Sequence, residues 1–133
     1  MAKHHSPRFL ALVEEARQQI QEISASELQG KLEKKDSFYL VDVREEAEYA
    51  AGRLKGAQHL CKGILERDIE TTVPESNAAV VLYCGGGYRS ALAAEAMQKM
   101  GYTQVSSLAG GWRGLVEAGL PTEIPPGSGK SQK

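Results

Sequence analysis

Residues 80–92 read Val80-Val81-Leu82-Tyr83-Cys84-Gly85-Gly86-Gly87-Tyr88-Arg89-Ser90-Ala91-Leu92. The unbroken apolar run Val80 to Tyr83 has the pattern of a strand buried on both faces. Three glycines interrupt it, and an Ala-rich helix is predicted to start near Arg89 or Ser90 and to run to Met100. Strand, glycine loop and helix in that order form the building unit of a parallel α/β sheet, whose ligands bind in the crevice outside the carboxyl ends of the strands. Cys84 is predicted to stand in that crevice.

The same alternation continues on both sides. Phe38–Val43 precedes a helical Glu45–Ala50, Ala57–Leu60 precedes Ile64–Ile69, and Val105–Leu108 precedes Trp112–Ala118. Strands separated by helices predict a mostly parallel sheet covered on both faces. Gly101 falls where a helix stop is needed. Upstream, Ser24-Ala25-Ser26-Glu27 has the form of a capping box opening a short helix through Leu28 and Leu32, whose charged end, Lys31 to Asp36, faces solvent. Phe9, Leu12, Val13, Ala16, Ile20 and Ile23 recur at helical spacing behind Ser6-Pro7, which predicts an N-terminal amphipathic helix spanning residues 1–22. His4 and His5 ahead of it read as a frayed terminus, not a metal site. A folded domain is expected over residues 23–121, and the Pro-, Gly- and Ser-rich segment 122–133 reads as a disordered tail.

The 133 residues suit one domain, and 41% hydrophobic with 25% charged residues is ordinary globular composition. Sixteen Lys and Arg against 17 Asp and Glu leave a net charge of −1, so no basic field exists to hold nucleic acid or an anionic membrane. The two cysteines, Cys61 and Cys84, are read as free thiols in a reducing compartment. With no apolar run long enough for a signal peptide or a membrane span, a soluble cytoplasmic protein is expected.

The glycine loop explains the chemistry expected of Cys84. Glycines permit positive φ and close approach of amides to a bound group, and curled N–H groups leading into a helix N-terminus form a concavity for an anion. An unperturbed thiol has a pKa of about 8.5, which a helix N-terminus and a nearby guanidinium lower, so a nucleophilic thiolate is expected. The same amides suit a terminal sulfur anion, and hence a held persulfide. A structural cysteine beside a turn is the plain alternative. A phosphate loop lacks its Gly-Lys-Ser or Gly-Lys-Thr ending here.

Cys84-Gly85-Gly86-Gly87-Tyr88-Arg89 resembles the active loop Cys-x-x-Gly-x-Arg of the rhodanese family of sulfurtransferases. Leu40-Val41-Asp42-Val43-Arg44 with Glu48-Tyr49 resembles that family's second strand and its exit. Gly52-Arg53-Leu54-Lys55-Gly56-Ala57 is similar to its Gly-His-Ile-x-Gly-Ala signature, and Leu108-Ala109-Gly110-Gly111-Trp112 to its Gly-Gly-Trp segment. The resemblance implies a rhodanese-like α/β domain with a five-stranded sheet and an extra N-terminal helix. It implies that Cys84 takes a sulfane sulfur from a small anionic donor such as thiosulfate and passes it to cyanide, a thiol or a protein acceptor, with no metal or organic cofactor. Backbone amides of Gly85, Gly86, Gly87, Tyr88, Arg89 and Ser90 would bind the sulfur, and Arg89 would contact the donor or hold the loop. Arg53 replaces a histidine of many members, and Glu48 stands where some two-domain members carry a substrate-binding arginine.

Four further residues are candidates near the site: Asp42, expected to pair with Arg89 or Arg44 or to accept loop amides; Arg44 itself; His59 at a strand end; and Lys62 as a source of positive potential. Cys61 is a candidate resolving thiol, and Trp112 an anchor for the last helix. The protein is expected to be a monomer or a homodimer. Two other functions stay open: a cysteine-loop phosphatase or arsenate reductase, which carries Cys-x5-Arg where this chain has four intervening residues, and a non-catalytic binding module.

Overall fold

A computed structural model describes residues 5–124. The chain runs α1 (Pro7–Arg17), β1 (Gln21–Ile23), α2 (Ala25–Glu33), β2 (Tyr39–Asp42), α3 (Glu46–Ala51), β3 (Arg53–Leu54) and β4 (Gln58–His59). It continues through a 3-10 turn at Lys62–Ile64 into α4 (Leu65–Thr72), β5 (Ala79–Tyr83), α5 (Tyr88–Lys99), β6 (Gln104–Leu108), α6 (Gly111–Glu117) and β7 (Thr122–Glu123).

Five strands form one parallel sheet in the order β1-β6-β5-β2-β4, as the alternation of elements predicts. β5 is the central strand. From β2 the chain steps outward to β4, then returns across the sheet to β5 and steps outward the other way to β6. The two neighbouring strands that diverge in this manner, β2 and β5, open a crevice at their carboxyl ends. Residues following them occupy its mouth.

Side chains of β5 alternate strictly. Val80 and Leu82 enter a core with Val41, Leu65, Ile69, Ala93, Ala94 and Met97, under α4 and α5. Val81 and Tyr83 enter the opposite core with Leu28, Leu40, Leu108 and Leu115, under α2 and α6. Full burial of each such Val, Leu or Ile contributes roughly 1.5–3 kcal/mol.

Helix α2 opens at the predicted capping box: the Ser24 hydroxyl accepts from the Glu27 amide at 3.0 Å, and Glu27 accepts from the Ser24 amide at 2.8 Å. After α5, the Tyr102 amide donates to the Met97 carbonyl at 3.1 Å and closes the helix past Gly101.

The N-terminal helix is shorter than its periodicity predicts. It stops at Arg17, and Gln21–Ile23 instead pair in parallel with Ser106–Leu108. Ile20 and Ile23 fit a helical spacing, but the extended chain places them against opposite cores, which satisfies both. The predicted boundary after residue 22 therefore cuts a strand of the sheet. The tail also begins later than expected, because Thr122–Glu123 pair antiparallel with Leu54 and Arg53, and Glu123 bonds the Arg53 guanidinium at 3.0 Å. Residues 125–133 of the expected tail lie outside the described residues, as do residues 1–4. Among the described residues no helix is long and apolar enough to cross a membrane.

Candidate functional site

Cys84 continues the alternation of β5 and so turns its side chain toward α5, into the core of Val80 and Leu82. The backbone then reverses through Gly87, whose φ of 95° lies in the left-handed region that glycine tolerates. This residue is the N-cap of α5. The amides of Gly87 and Ser90 donate to the Cys84 sulfur at 3.2 and 3.3 Å. The sulfur thus takes the place of a capping oxygen and satisfies donors that a helix N-terminus leaves free. These two amides, from the cap and from the third residue of the first turn, are the loop amides bonded to the cysteine's own sulfur.

Gly110 and Gly111, at the start of α6, let a second helix close on the loop from outside. The Trp112 amide donates to the Cys84 carbonyl at 2.6 Å and the Arg113 amide to the Gly85 carbonyl at 3.2 Å. Both come from the first turn of α6, which approaches so closely that a Cβ on Gly111, at φ 53°, would collide with the Cys84 carbonyl. Below the loop, the Ser90 hydroxyl lies 3.5 Å from the sulfur and 2.7 Å from the hydroxyl of Ser107, both serines being buried.

Cys84 as a whole residue is 1% exposed. It forms part of the floor of a cavity of about 570 Å³, not an open ledge, bounded by the loop, by Arg44 and Glu48 after β2, by Trp112 and Arg113 of α6, and by His5 and Phe9 from the N-terminal segment. A depression of about 440 Å³ at the opposite end of β2 and β5 is lined by Ser37 to Tyr39, Glu75 and Asn77 to Ala79, with no cysteine among them.

Three guanidinium groups reach the cavity and two are already matched. Arg44 is buried and grips Asp42 through Nε at 3.0 Å and Nη2 at 2.6 Å, while Nη2 also donates to the Gly52 carbonyl. It lies 4.6 Å from the Trp112 ring centre. Burial acts to lower the Arg44 pKa, but the bonds and charge of Asp42 outweigh it and hold the group above its ordinary value. Arg89 bonds both oxygens of Glu48, at 2.8 and 3.2 Å. That bond raises the Arg89 pKa and holds the Glu48 carboxyl below the usual range. Arg113, exposed, has no ion-pair partner among the described residues.

The remaining sequence candidates divide. Asp42 pairs with Arg44 and not with Arg89, and its charge is absorbed there. His59 takes no part in lining the cavity: its Nε2 lies 2.8 Å from the Arg44 carbonyl and its ring stacks on Tyr49 at 4.5 Å. Lys62 reaches toward Glu66 at 4.0 Å and takes no part in lining the cavity. Cys61 is a free, half-buried thiol outside the lining. Trp112 packs against the core of Leu115 and also walls the cavity. His5 is not frayed, because its ring packs 4.4 Å from Tyr88; His4 lies outside the described residues.

Sequence reasoning missed Ser107, Arg113, Phe9 and the role of His5. Ser107 was recoverable, since it shares the strand face of Val105 and sits in register with Leu82. Arg113 follows the Gly-Gly-Trp segment directly. Nothing local in the sequence brings His5 or Phe9 to Tyr88.

Residues 24–118 match the rhodanese-like domain family. The chain is 32% identical over 108 residues to a sulfurtransferase of Allochromatium vinosum, which spans 81% of this chain and 99% of that one. It is 36% identical over 93 residues to the thiosulfate sulfurtransferase GlpE of Pseudomonas fluorescens (strain SBW25), 70% of this chain and 81% of the relative. The fold is similar, at a TM-score of 0.81 and 29% identity, to the solved structure of a Rhodopseudomonas palustris CGA009 protein described as of unknown function and a possible tyrosine phosphatase, covering 92% of this chain and 99% of that one.

Proposed function

The chain belongs to the rhodanese-like family, and from that premise we propose that it moves a sulfane sulfur from an anionic donor such as thiosulfate to cyanide, a small thiol or a protein thiol through a persulfide on Cys84. Its sulfurtransferase relatives support the general role. The observation that carries the finer reading is the pair of amides, Gly87 and Ser90, bonded to the sulfur from a helix N-terminus. Fixed donors of this kind stabilise negative charge that rests on the sulfur during transfer and need no reorganisation when charge moves.

The exchange has two balanced steps. In the first, the Cys84 thiolate attacks the outer sulfur of thiosulfate, a new S–S bond forms, the old S–S bond breaks, and sulfite leaves with the electron pair. The negative charge now rests on the terminal sulfur of the persulfide. In the second, cyanide or a thiolate attacks that sulfur, and Cys84 leaves as thiolate. No proton, metal or organic cofactor is called for by either step. Arg113, as the unmatched guanidinium, docks the anionic end of the donor, while Arg89, matched to Glu48, holds the loop. The chemistry needs a free thiol, which suits a reducing cytoplasmic compartment.

A phosphatase reading takes support from the description of the Rhodopseudomonas palustris neighbour. Against it, Cys84 and Arg89 are separated by four residues, and Arg89 is turned onto Glu48, away from a phosphate cradle. Steady-state assays decide between the two. Thiocyanate formation with double-displacement kinetics that vanishes in Cys84→Ala supports sulfur transfer; Cys84-dependent hydrolysis of p-nitrophenyl phosphate in its place supports the phosphatase.

A further inference from the structure

We propose that the first turn of α1 makes this site selective for organic sulfane-sulfur donors: monoanions whose sulfur is attached to an aromatic or other apolar body. The inference rests on the sulfur-transfer reading and adds a substrate class to it. His5, Phe9 and Tyr88 form a continuous aromatic wall of the cavity, with His5 4.4 Å and Phe9 6.2 Å from the Tyr88 ring centre. Tyr88 belongs to the glycine loop. It is held in place by the Arg17 guanidinium from the last turn of α1, 5.1 Å from its ring centre. The matched family span begins at residue 24, so His5, Phe9 and Arg17 lie ahead of it, and His5 and Phe9 share the cavity with Cys84.

Volume and charge agree with the wall. A cavity of about 570 Å³ lies within the ~300–1,000 Å³ range that accommodates organic ligands, whereas thiosulfate would leave most of it to water. Thiosulfate brings two negative charges. The cavity offers it one unmatched guanidinium, Arg113, since Arg44 and Arg89 are held by Asp42 and Glu48. An organic thiosulfonate or persulfide brings one charge and an apolar body, and the aromatic wall provides for the body.

Benzenethiosulfonate is the probe. The Cys84 thiolate attacks its terminal sulfur, the S–S bond to the sulfonyl sulfur breaks, and benzenesulfinate leaves with the electron pair, so that the same persulfide forms as with thiosulfate. Phe9 is half-buried and outside both cores, which makes Phe9→Ala compatible with folding, and unchanged thermal unfolding checks this. Phe9→Ala is expected to lower kcat/KM for benzenethiosulfonate by about 3- to 10-fold while thiosulfate changes by less than about 2-fold, and Phe9→Tyr is expected to restore the aromatic donor. Equal losses on both donors, or no loss on either, would overturn the selectivity. A wild-type protein that accepts sulfur from neither donor would overturn the sulfur-transfer reading and this inference with it.

Discussion

Ser107 holds the Ser90 hydroxyl at 2.7 Å, and Ser90 in turn stands 3.5 Å from the sulfur of Cys84 through its side chain and 3.3 Å through its amide. The Ser90 amide donates to the sulfur, the Cys84 thiol donates to the Ser90 hydroxyl, and a neighbouring strand fixes the orientation of that hydroxyl. When the sulfur is anionic, Ser90 donates to it and accepts from Ser107.

Removing the support should weaken the relay without removing the nucleophile. Ser107→Ala is expected to slow sulfur transfer by about 3- to 10-fold and to cost about 1 kcal/mol of stability, the worth of one buried hydrogen bond. Stopped-flow measurement of persulfide formation together with urea unfolding checks both. An unchanged transfer rate would mean that the Ser90 hydroxyl plays no part.

The glycines of the loop are not equivalent, and substitution should separate them. Gly87→Ala forces a side chain into the left-handed region, and its Cβ would sit 3.3 Å from the Gly110 amide nitrogen and the Leu108 carbonyl, so a loss of at least about 1–2 kcal/mol is expected. Gly111→Ala should cost more, because its Cβ meets the Cys84 carbonyl. A Cβ on Gly86 clashes with the far end of the Arg113 side chain, which can swing aside, and makes ordinary contact with the Tyr88 ring, so Gly86→Ala should fold within about 0.5 kcal/mol of the parent. Thermal unfolding of the three variants gives the ranking, and equal losses would contradict it.

The uneven legibility of this chain has physical causes. β5, the glycine loop and α5 could be read because each signal is local: an apolar run, three glycines, an alanine-rich helix. The capping box at Ser24 is local too. The end of α1 was hidden, since Gln18-Gln19-Ile20 carries no helix breaker and Ile20 and Ile23 keep helical spacing. Pairing with an open strand edge of β6, a contact across the sequence, overrode that propensity. β7 was hidden by the composition around it. At the site, Cys84 was evident, but which arginine remains unmatched depends on Glu48 lying opposite Arg89, 41 positions away in the chain.

That pairing leads to a further prediction. Arg113 has the free charge, so Arg113→Ala should raise KM for thiosulfate by about 10-fold, the worth of a charge-assisted contact, with kcat little changed. Its exposed position leaves folding intact. A fall in kcat with constant KM would instead assign Arg113 to the chemical step.

Glu48 offers a test by pH. Its carboxyl is held below the ordinary range by its bond to Arg89, so the pair contributes stability above the unfolded-state pKa of about 4.3 and loses it as pH falls through the lower folded value. Carbon-13 NMR titration should place the Glu48 midpoint below that of a free glutamate, and Arg89→Gln should move it up. A midpoint indifferent to residue 89 would contradict the pairing.

The most direct test of the account is mass spectrometry of the purified protein after exposure to thiosulfate, with peptide mapping. One added sulfur on Cys84, removable by cyanide and absent from Cys84→Ser, is the predicted result. Sulfur found on Cys61, or on neither cysteine, would contradict it.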